Sequence, residues 1–177
     1  MMCDGADRDE VLFSIDSVID RFGWSLQVVE GHDPPALDWV YSIGLVEGFG
    51  HPELVVTGVE IAAGALVLNE LGSLVRDGLR LEPGTRVLLR DRDVEIGLVH
   101  PAHFDRGLMA IWQEYYGKIG PPMPTLEALQ VVFSDASFCH QHEQSTPRLS
   151  DPNVRLEVQT PPLANRAERR RQARRRH

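Results

Sequence analysis

The stretch 39–59, WVYSIGLVEGFGHPELVVTGV, contains two apolar runs on either side of the segment GFGHPE. The first run is rich in aromatic and β-branched residues and the second is nearly continuous, so both are predicted as strands, the second one buried. Two glycines and a proline suit a tight connection, because glycine tolerates unusual backbone angles and proline is stiff. The stretch therefore predicts two consecutive strands joined by a loop that carries His51 and Glu53.

Further strands and helices are predicted on both sides of this stretch. Apolar residues recur at helical spacing over residues 7–22, 60–77 and 102–116, which predicts three helices. Strands are predicted at WSLQVVEG, at a hairpin formed by RVLLR and VEIGLVH, and from about Ala128 onward. Because strand and helix do not alternate throughout, we predict an α+β fold with a mainly antiparallel sheet and about three packing helices.

The charge of the chain is unevenly distributed. Of the 177 residues, positions 165–177 hold seven arginines and one glutamate, whereas the other 164 hold 11 basic and 25 acidic side chains, a net charge of -14. We predict a single α+β domain over residues 1–158 and a polar, arginine-rich, disordered tail over residues 159–177. An acidic domain of this kind suits a basic or neutral partner.

The composition of the chain also predicts the cellular compartment in which the protein is found. The acidic start MMCDGADRDE does not resemble a secretory signal, and no apolar run approaches the roughly 20 residues of a membrane-spanning helix. The two cysteines, Cys3 and Cys139, form no disulfide framework. These features predict a cytoplasmic protein without a membrane partner.

Four residues in and before the loop form a predicted ligand-binding site: Tyr41, Ser42, His51 and Glu53. His51 is the residue of this loop whose charge can change near neutral pH, so it is a candidate acid or base. The alternative is structural, because the glycines and the proline explain the loop without chemistry. His51 would then bond a neighbouring carbonyl and hold the loop.

Four histidines form a predicted metal site. His140 and His142 lie two apart in FCHQHE and would point to the same side of an extended segment, and HPAH supplies His100 and His103. If the four converge, they could hold zinc or iron. The spacing matches no known metal signature, and the alternative is that these are polar residues at the ends of elements. The residues identify no cofactor.

The tail is a predicted site of nucleic-acid contact, through the arginines Arg169, Arg170, Arg171, Arg174, Arg175 and Arg176. Clustered arginines bind phosphates in a salt-dependent manner. Because no aromatic residue is interleaved for base stacking, such binding would lack sequence preference. The alternative is a solvated or loosely self-associated tail.

Several segments together resemble a known family. In order, they are MCDG, VIDRFGWSLQVVEG, WVYSIGLVEGFGHPELVVTGV, LNELGSLVRDG, VHPAHFDRGLMAIWQEYYG and LEALQVVFSD. Over residues 2–138 they resemble the bacterial domain-of-unknown-function 4262 family (DUF4262). The resemblance implies a compact α+β bacterial domain and brings no activity. It places the family signature at Trp24, Tyr41, Gly44, His51, Pro52, Glu53 and Asn69. The chain departs from the family pattern at Phe133, Ser134, Cys139 and His140.

These observations support three hypotheses about function. The first is a small ligand-binding or protein-interaction domain. The second is a metal-assisted, hydrolase-like enzyme that uses His51 or Glu53 as a base and histidines as ligands. The third is an immunity-like or regulatory partner whose acidic body binds a basic protein, with fast, salt-sensitive association.

Overall fold

The computed structural model describes residues 8–30, 38–90, 92–134 and 147–154. These residues form five helices and six strands. The helices are α1 (Arg8–Phe22), α2 (Leu45–Phe49), α3 (Ile61–Arg76), α4 (Ala102–Asp105) and α5 (Ala110–Ile119). The strands are β1 (Ser25–Val29), β2 (Trp39–Ile43), β3 (Glu53–Thr57), β4 (Arg86–Leu89), β5 (Arg92–Leu98) and β6 (Ala128–Phe133).

The six strands form one mixed sheet in the order β1-β2-β3-β6-β5-β4. The prediction of an α+β fold is confirmed, but the prediction of a mainly antiparallel sheet is wrong. At the centre of the sheet β3 and β6 are parallel, with Glu53 opposite Ala128. The physical reason is that α3, the β4–β5 hairpin and α5 separate the two strands in the chain, so β6 can enter beside β3 in the same direction.

Helices cover both faces of the sheet centre. Every residue of β2, β3 and β6 is buried. On one face, Val40 and Leu54 pack in an apolar cluster with residues of α3. On the other face, Trp39 and Val55 pack with residues of α1, α4 and α5. This arrangement explains why these strands are apolar at nearly every position, since neither face meets solvent.

Helix α3 approaches the sheet closely at two glycines. A Cβ atom on Gly64 would lie 2.8 Å from a side-chain carbon of Val56, and one on Gly72 would lie 2.7 Å from the ring of Trp24. Glu60 caps the N-terminus of the helix, because its carboxylate accepts hydrogen bonds from the N–H groups of Ala62 and Ala63. Close backbone approach therefore holds α3 on the sheet, and the charged cap stabilises the start of the helix.

Two of the three predicted helices agree with α1 and α3. The third, predicted over residues 102–116, is divided into α4 and α5, because Gly107 adopts a φ of +87° between them. The short helix α2 was not predicted. It has only five residues, too few to show a helical period, and it occupies part of the segment that was read as a loop.

A segment near the end of the described chain packs on the α1–α5 side of the sheet. Leu149 is buried in the apolar cluster of that side, and Val154 packs against the cluster. The Gln130 side chain accepts a hydrogen bond from the Leu149 N–H (2.8 Å) and donates one to the Pro147 carbonyl (2.8 Å). The described part of the chain thus ends on this face.

The described residues contain no helix that is both long enough and apolar enough to cross a membrane. The tail predicted over residues 159–177 lies outside the described residues, so its disorder and the boundary of the domain stay predictions.

Candidate functional site

The carboxylate of Glu53 is the most densely hydrogen-bonded side chain of the predicted site. Glu53 is the first residue of β3 and is fully buried. It accepts hydrogen bonds from five groups: the hydroxyl of Ser42 (2.6 Å), the N–H groups of Gly44 (2.9 Å), Leu45 (3.3 Å) and Val46 (3.4 Å), and the indole N–H of Trp112 (3.3 Å). One carboxylate thereby joins β2, β3, α2 and α5.

The chain between β2 and α2 is shaped to direct its N–H groups at this carboxylate. Gly44 has a φ of +115°, and a Cβ atom there would lie 3.1 Å from the Gly23 carbonyl oxygen. Only glycine adopts this conformation without strain. The first N–H groups of a helix have no partner within the helix and favour a negative charge. Glu53 satisfies them from within the protein.

Burial and hydrogen bonding act on Glu53 in opposite directions. Burial raises the pKa of this carboxyl group, and the bonds from Ser42, Gly44, Val46 and Trp112 lower it again. The net direction is upward, because removal from water disfavours the charged form strongly. Since its neighbours all donate to it and it has no exposed surface, Glu53 serves chiefly as a structural acceptor.

Both ring nitrogens of His51 are used inside the protein. Nδ1 lies 2.7 Å from the carbonyl oxygen of Pro52 and donates to it, and Nε2 accepts from the N–H of Leu81 at 3.1 Å. This pattern defines a neutral ring protonated at Nδ1. Burial lowers the pKa of His51, the Pro52 carbonyl opposes this effect, and the nearby Arg80 lowers the pKa further.

Tyr41 is buried on the side of the sheet that α5 covers. Its hydroxyl lies against the backbone of Ile111 and Trp112, at the first turn of α5, and burial raises its pKa. The structure thus joins Ser42 directly to Glu53, places Tyr41 beside α5 and turns His51 towards Leu81. All four are buried. Ligand binding by these four residues stays a prediction.

The predicted metal ligands are described only in part. Nδ1 of His100 accepts from the Ala102 N–H (3.2 Å), and Nε2 of the buried His103 lies 3.0 Å from the Asp151 carbonyl oxygen. His140 and His142 lie outside the described residues. Among the residues that are described, no group of three or more His, Cys, Asp or Glu side chains is placed to hold a metal ion. The metal site stays a prediction.

The arginines predicted to contact nucleic acid, Arg169, Arg170, Arg171, Arg174, Arg175 and Arg176, also lie outside the described residues. That hypothesis likewise stays a prediction.

The fold assembles a second group of polar side chains, which we name the acidic–tyrosine cluster. It consists of Asp16 and Asp20 on α1, Glu47 on α2, and Tyr115 and Tyr116 on α5. The three acids are exposed and both tyrosines are buried. The hydroxyl of Tyr115 donates to Asp16 at 2.9 Å. Burial raises the pKa of Tyr115, and all three acids of the cluster raise it further.

Tyr116 lies deeper in the same cluster. Its side chain packs against the rings of Trp112 and Tyr115, with centroids 4.5 Å and 5.0 Å away. The hydroxyl is buried and has no partner in hydrogen-bonding geometry among the described residues. Burial raises the pKa of Tyr116, and the carboxylates of Glu53 and Glu47 raise it further, Glu47 in part as a nearby acceptor for the hydroxyl. The cluster therefore combines negative charge with a buried hydroxyl that lies beside Glu47.

The acids of the cluster differ from their neighbours in ion pairing. On the same helices, Arg8 pairs with Glu114 and Lys118 pairs with Asp9. No arginine, lysine or histidine within the described parts of the chain forms an ion pair with Asp16, Asp20 or Glu47. Sequence reasoning missed this cluster. The i, i+4 spacing of the two aspartates was visible, but only the fold brings α2 and α5 beside them.

The remaining signature residues also have internal partners. The indole N–H of Trp24 donates to the side-chain oxygen of Asn69 (3.1 Å), and the guanidinium of Arg76 lies 5.6 Å from the centre of the Trp24 ring. This contact ties the start of β1 to α3.

Comparison with known proteins identifies a family and nothing beyond it. A family model described as "Domain of unknown function (DUF4262)" matches residues 18–139, which is more than half of the chain. No curated protein and no solved structure matches the chain.

Proposed function

The chain belongs to the DUF4262 family, and from this premise we propose that it is a binding domain that recognises a basic polypeptide through the acidic–tyrosine cluster. One observation carries the proposal. Three exposed carboxylates, Asp16, Asp20 and Glu47, all raise the pKa of the buried Tyr115, whose hydroxyl donates to Asp16, and none of the three has an ion-pair partner among the described residues.

Mutual repulsion within the cluster favours a cationic ligand. Like charges at i and i+4 on a helix are destabilising, and Glu47 adds a third negative charge from another element. An arginine or lysine side chain of a partner would relieve that repulsion. Arginine suits the site best, because its planar group bonds carboxylates with two N–H donors at once.

One carboxylate of the cluster, that of Asp16, is held in place before any partner arrives. Tyr115 donates to Asp16 from a buried position, and its ring is fixed by contact with Tyr116. A carboxylate that is already oriented loses less side-chain entropy on binding than a free one. The net charge of -14 over residues 1–164 supports the same conclusion, because it accelerates encounter with a basic partner.

The state of the loop residues supports binding over catalysis. A general base needs a free lone pair within reach of the substrate. The carboxylate of Glu53 is enclosed by five donors, and His51 uses one ring nitrogen as donor and the other as acceptor. Both side chains are buried, and both are engaged in holding the fold.

The test is a binding titration with a fluorescein-labelled oligoarginine peptide at about 0.15 M salt, where the Debye length is about 8 Å, read out by fluorescence anisotropy. The triple variant Asp16→Asn, Asp20→Asn, Glu47→Gln is expected to bind the peptide about tenfold more weakly than the unmodified chain, because three charge contacts are lost. Each substitution keeps the size of the side chain, so the fold is preserved.

A charge-matched control separates the cluster from the overall charge. The variant Asp77→Asn, Glu82→Gln, Asp105→Asn removes three exposed acids from other elements. It is expected to bind within about twofold of the unmodified chain, since distant exposed charges are screened. Equal weakening in both variants, or no binding by the unmodified chain, would contradict the proposal.

A further inference from the structure

We infer that residues 147–154, here named the strap, occupy a peptide-binding groove of the domain as an internal ligand. The same groove takes a partner peptide of the same chemistry, a turn in which an arginine precedes a leucine. The groove consists of Glu95, His100, His103, Arg106 and Gln130. It shares no residue with the acidic–tyrosine cluster, so the inference goes beyond the proposed function and does not depend on it.

The first half of the strap is held through its main chain. The side-chain amide of Gln130 donates to the Pro147 carbonyl and accepts from the Leu149 N–H, both at 2.8 Å. The N–H of His100 donates to the Leu149 carbonyl, also at 2.8 Å. Both polar main-chain groups of Leu149 are thus bonded to the domain, as they are in a bound peptide.

The second half of the strap is also held through its carbonyl groups. Nε2 of His103 lies 3.0 Å from the Asp151 carbonyl oxygen and donates to it. The guanidinium group of Arg106 donates to the Pro152 carbonyl oxygen. Because such bonds do not depend on the side chains of the strap, they provide affinity for any peptide that adopts the same backbone.

Two side chains of the strap provide specificity. All eight residues of the strap are described, and Leu149 alone is buried, with 0% of its surface exposed. Arg148 forms two hydrogen bonds with the carboxylate of Glu95, at 2.7 Å and 3.2 Å, and holds the pKa of that group below its usual value. A paired fork of this kind selects arginine over lysine. The groove therefore selects an arginine followed by a leucine.

The shape of the strap comes from its own residues. The Asp151 N–H donates to the Arg148 carbonyl at 3.1 Å, which closes a turn around Leu149. The Asp151 carboxylate accepts from the main-chain N–H and the side-chain amide of Asn153, at 2.8 Å and 2.9 Å. A separate peptide of this sequence can form the same bonds, which lowers the entropy that it loses on binding.

The strap and the groove belong to different parts of the chain. The match to the family model ends at residue 139, so the strap lies beyond it, whereas the groove residues lie between positions 95 and 130. The groove is thus part of the domain that the family model covers, and the strap is part of the chain that follows.

Covalent attachment makes the strap a strong competitor. A segment tethered to its own site by a short linker meets that site at an effective concentration on the order of millimolar. A partner peptide therefore fills the groove only if it binds more tightly than the strap or if the strap is released. The strap thereby limits binding to partners with a close match.

The first test uses a fluorescein-labelled peptide of residues 147–154, PRLSDPNV, and fluorescence anisotropy. In the full-length chain, Arg148→Ala and Leu149→Ser remove both side-chain contacts of the strap and define the opened chain. The opened chain is expected to bind the peptide at least about tenfold more tightly than the unmodified chain, whose groove is filled. Absence of binding by a folded opened chain overturns the inference.

A charge reversal locates the bound peptide. Glu95→Arg in the opened chain is expected to weaken binding of the peptide at least about threefold. It is also expected to make a peptide carrying Arg148→Glu bind more tightly than the original peptide. A peptide carrying Leu149→Ser is expected not to bind the opened chain. Equal binding of the three peptides by both chains would indicate non-specific adhesion and overturns the inference.

The second test needs no substitution and asks whether the strap leaves the groove while the domain stays folded. In native-state hydrogen exchange of the unmodified chain, the N–H groups of Leu149 and His100 report the contact. They are expected to be at least about tenfold less protected than the amides of β3 and β6, because the strap opens locally. Equal protection of both sets overturns the inference, as does an opened chain that stays unfolded with and without the peptide.

Discussion

At the scale of single residues, the hydrogen bonds of Glu53 and His51 explain why the motif GFGHPE contains these two side chains. Glu53 caps α2 and links four elements, and His51 connects Pro52 to Leu81. The structural alternative considered for His51 therefore describes its observed contacts well. A loop with a histidine next to a carboxylate resembles a catalytic site in sequence, and here both groups face inward.

Loss of the negative charge at Glu53 is expected to destabilise the fold. Glu53→Gln keeps the shape but places an amide N–H₂ against N–H donors, so buried donors lose their acceptor. We expect a loss of about 3 kcal/mol in the free energy of unfolding. Chemical denaturation measures this loss. Glu127→Gln, at an exposed position that directly precedes β6, is the control and should change stability by less than about 0.5 kcal/mol. Equal stability of the two variants would contradict the structural role of Glu53.

The ring of His51 is expected to make stability depend on pH. Its folded pKa lies below the usual value of 6.5, so the unfolded chain takes up the proton first as the pH falls. The contribution of the neutral ring is therefore complete above about pH 6.5 and is lost as the pH falls towards the folded pKa. His51→Gln removes this dependence.

The measurement is the difference in unfolding free energy between the unmodified chain and His51→Gln at pH 7.5 and pH 5. Titration of Glu53 occurs in both chains and largely cancels in that difference. The advantage of the unmodified chain is expected to shrink on acidification by about 1.4 kcal/mol for each unit of pKa lowering. A difference that stays constant with pH would show that His51 does not titrate on unfolding.

At the scale of elements, α3 packs closely because its inward positions include two glycines. An alanine at position 72 would normally favour a helix by up to about 1 kcal/mol. Here its Cβ atom would lie 2.7 Å from the Trp24 ring, and that ring is held by Asn69 and Arg76. Packing therefore outweighs helix propensity at this position.

Gly72→Ala is expected to lower the free energy of unfolding by about 1–3 kcal/mol, the usual effect of overpacking a core. Gly117→Ala on α5 is the matched control, because nothing lies within 4 Å of a Cβ atom there, and it should be neutral or stabilising. Thermal melting distinguishes the two. A melting temperature for Gly72→Ala at or above that of Gly117→Ala would show that Trp24 can move aside.

The helices were predicted correctly where the helical spacing of apolar residues extends over many residues. Helices α1 and α3 have 15 and 16 residues, and their apolar spacing identifies them from the sequence. Helix α2 has five residues and depends on the carboxylate of Glu53, which approaches its N-terminus from another element. A helix that is stabilised by a tertiary contact has no local signal to detect.

At the scale of the whole molecule, the mixed sheet is covered by helices on both of its faces. Because β6 inserts between β3 and β5, the centre of the sheet is shielded by α3 on one side and by α1 and α5 on the other. The second side carries the acidic–tyrosine cluster. The proposed binding surface is thus a product of the same topology that the antiparallel prediction missed.

The sequence by itself determined the α+β class, the long helices, the buried character of β3 and the family to which the chain belongs. These follow from apolar period, turn residues and a distinctive motif, all of which are local in the chain. The tertiary structure decided that β3 and β6 are parallel, that Glu53 and His51 face inward, and that Asp16, Asp20 and Glu47 come near the buried Tyr115. The physical reason is that strand direction, hydrogen-bond partners and charge clusters depend on residues far apart in the chain, and the local pattern of apolar and polar residues does not specify which of them come together.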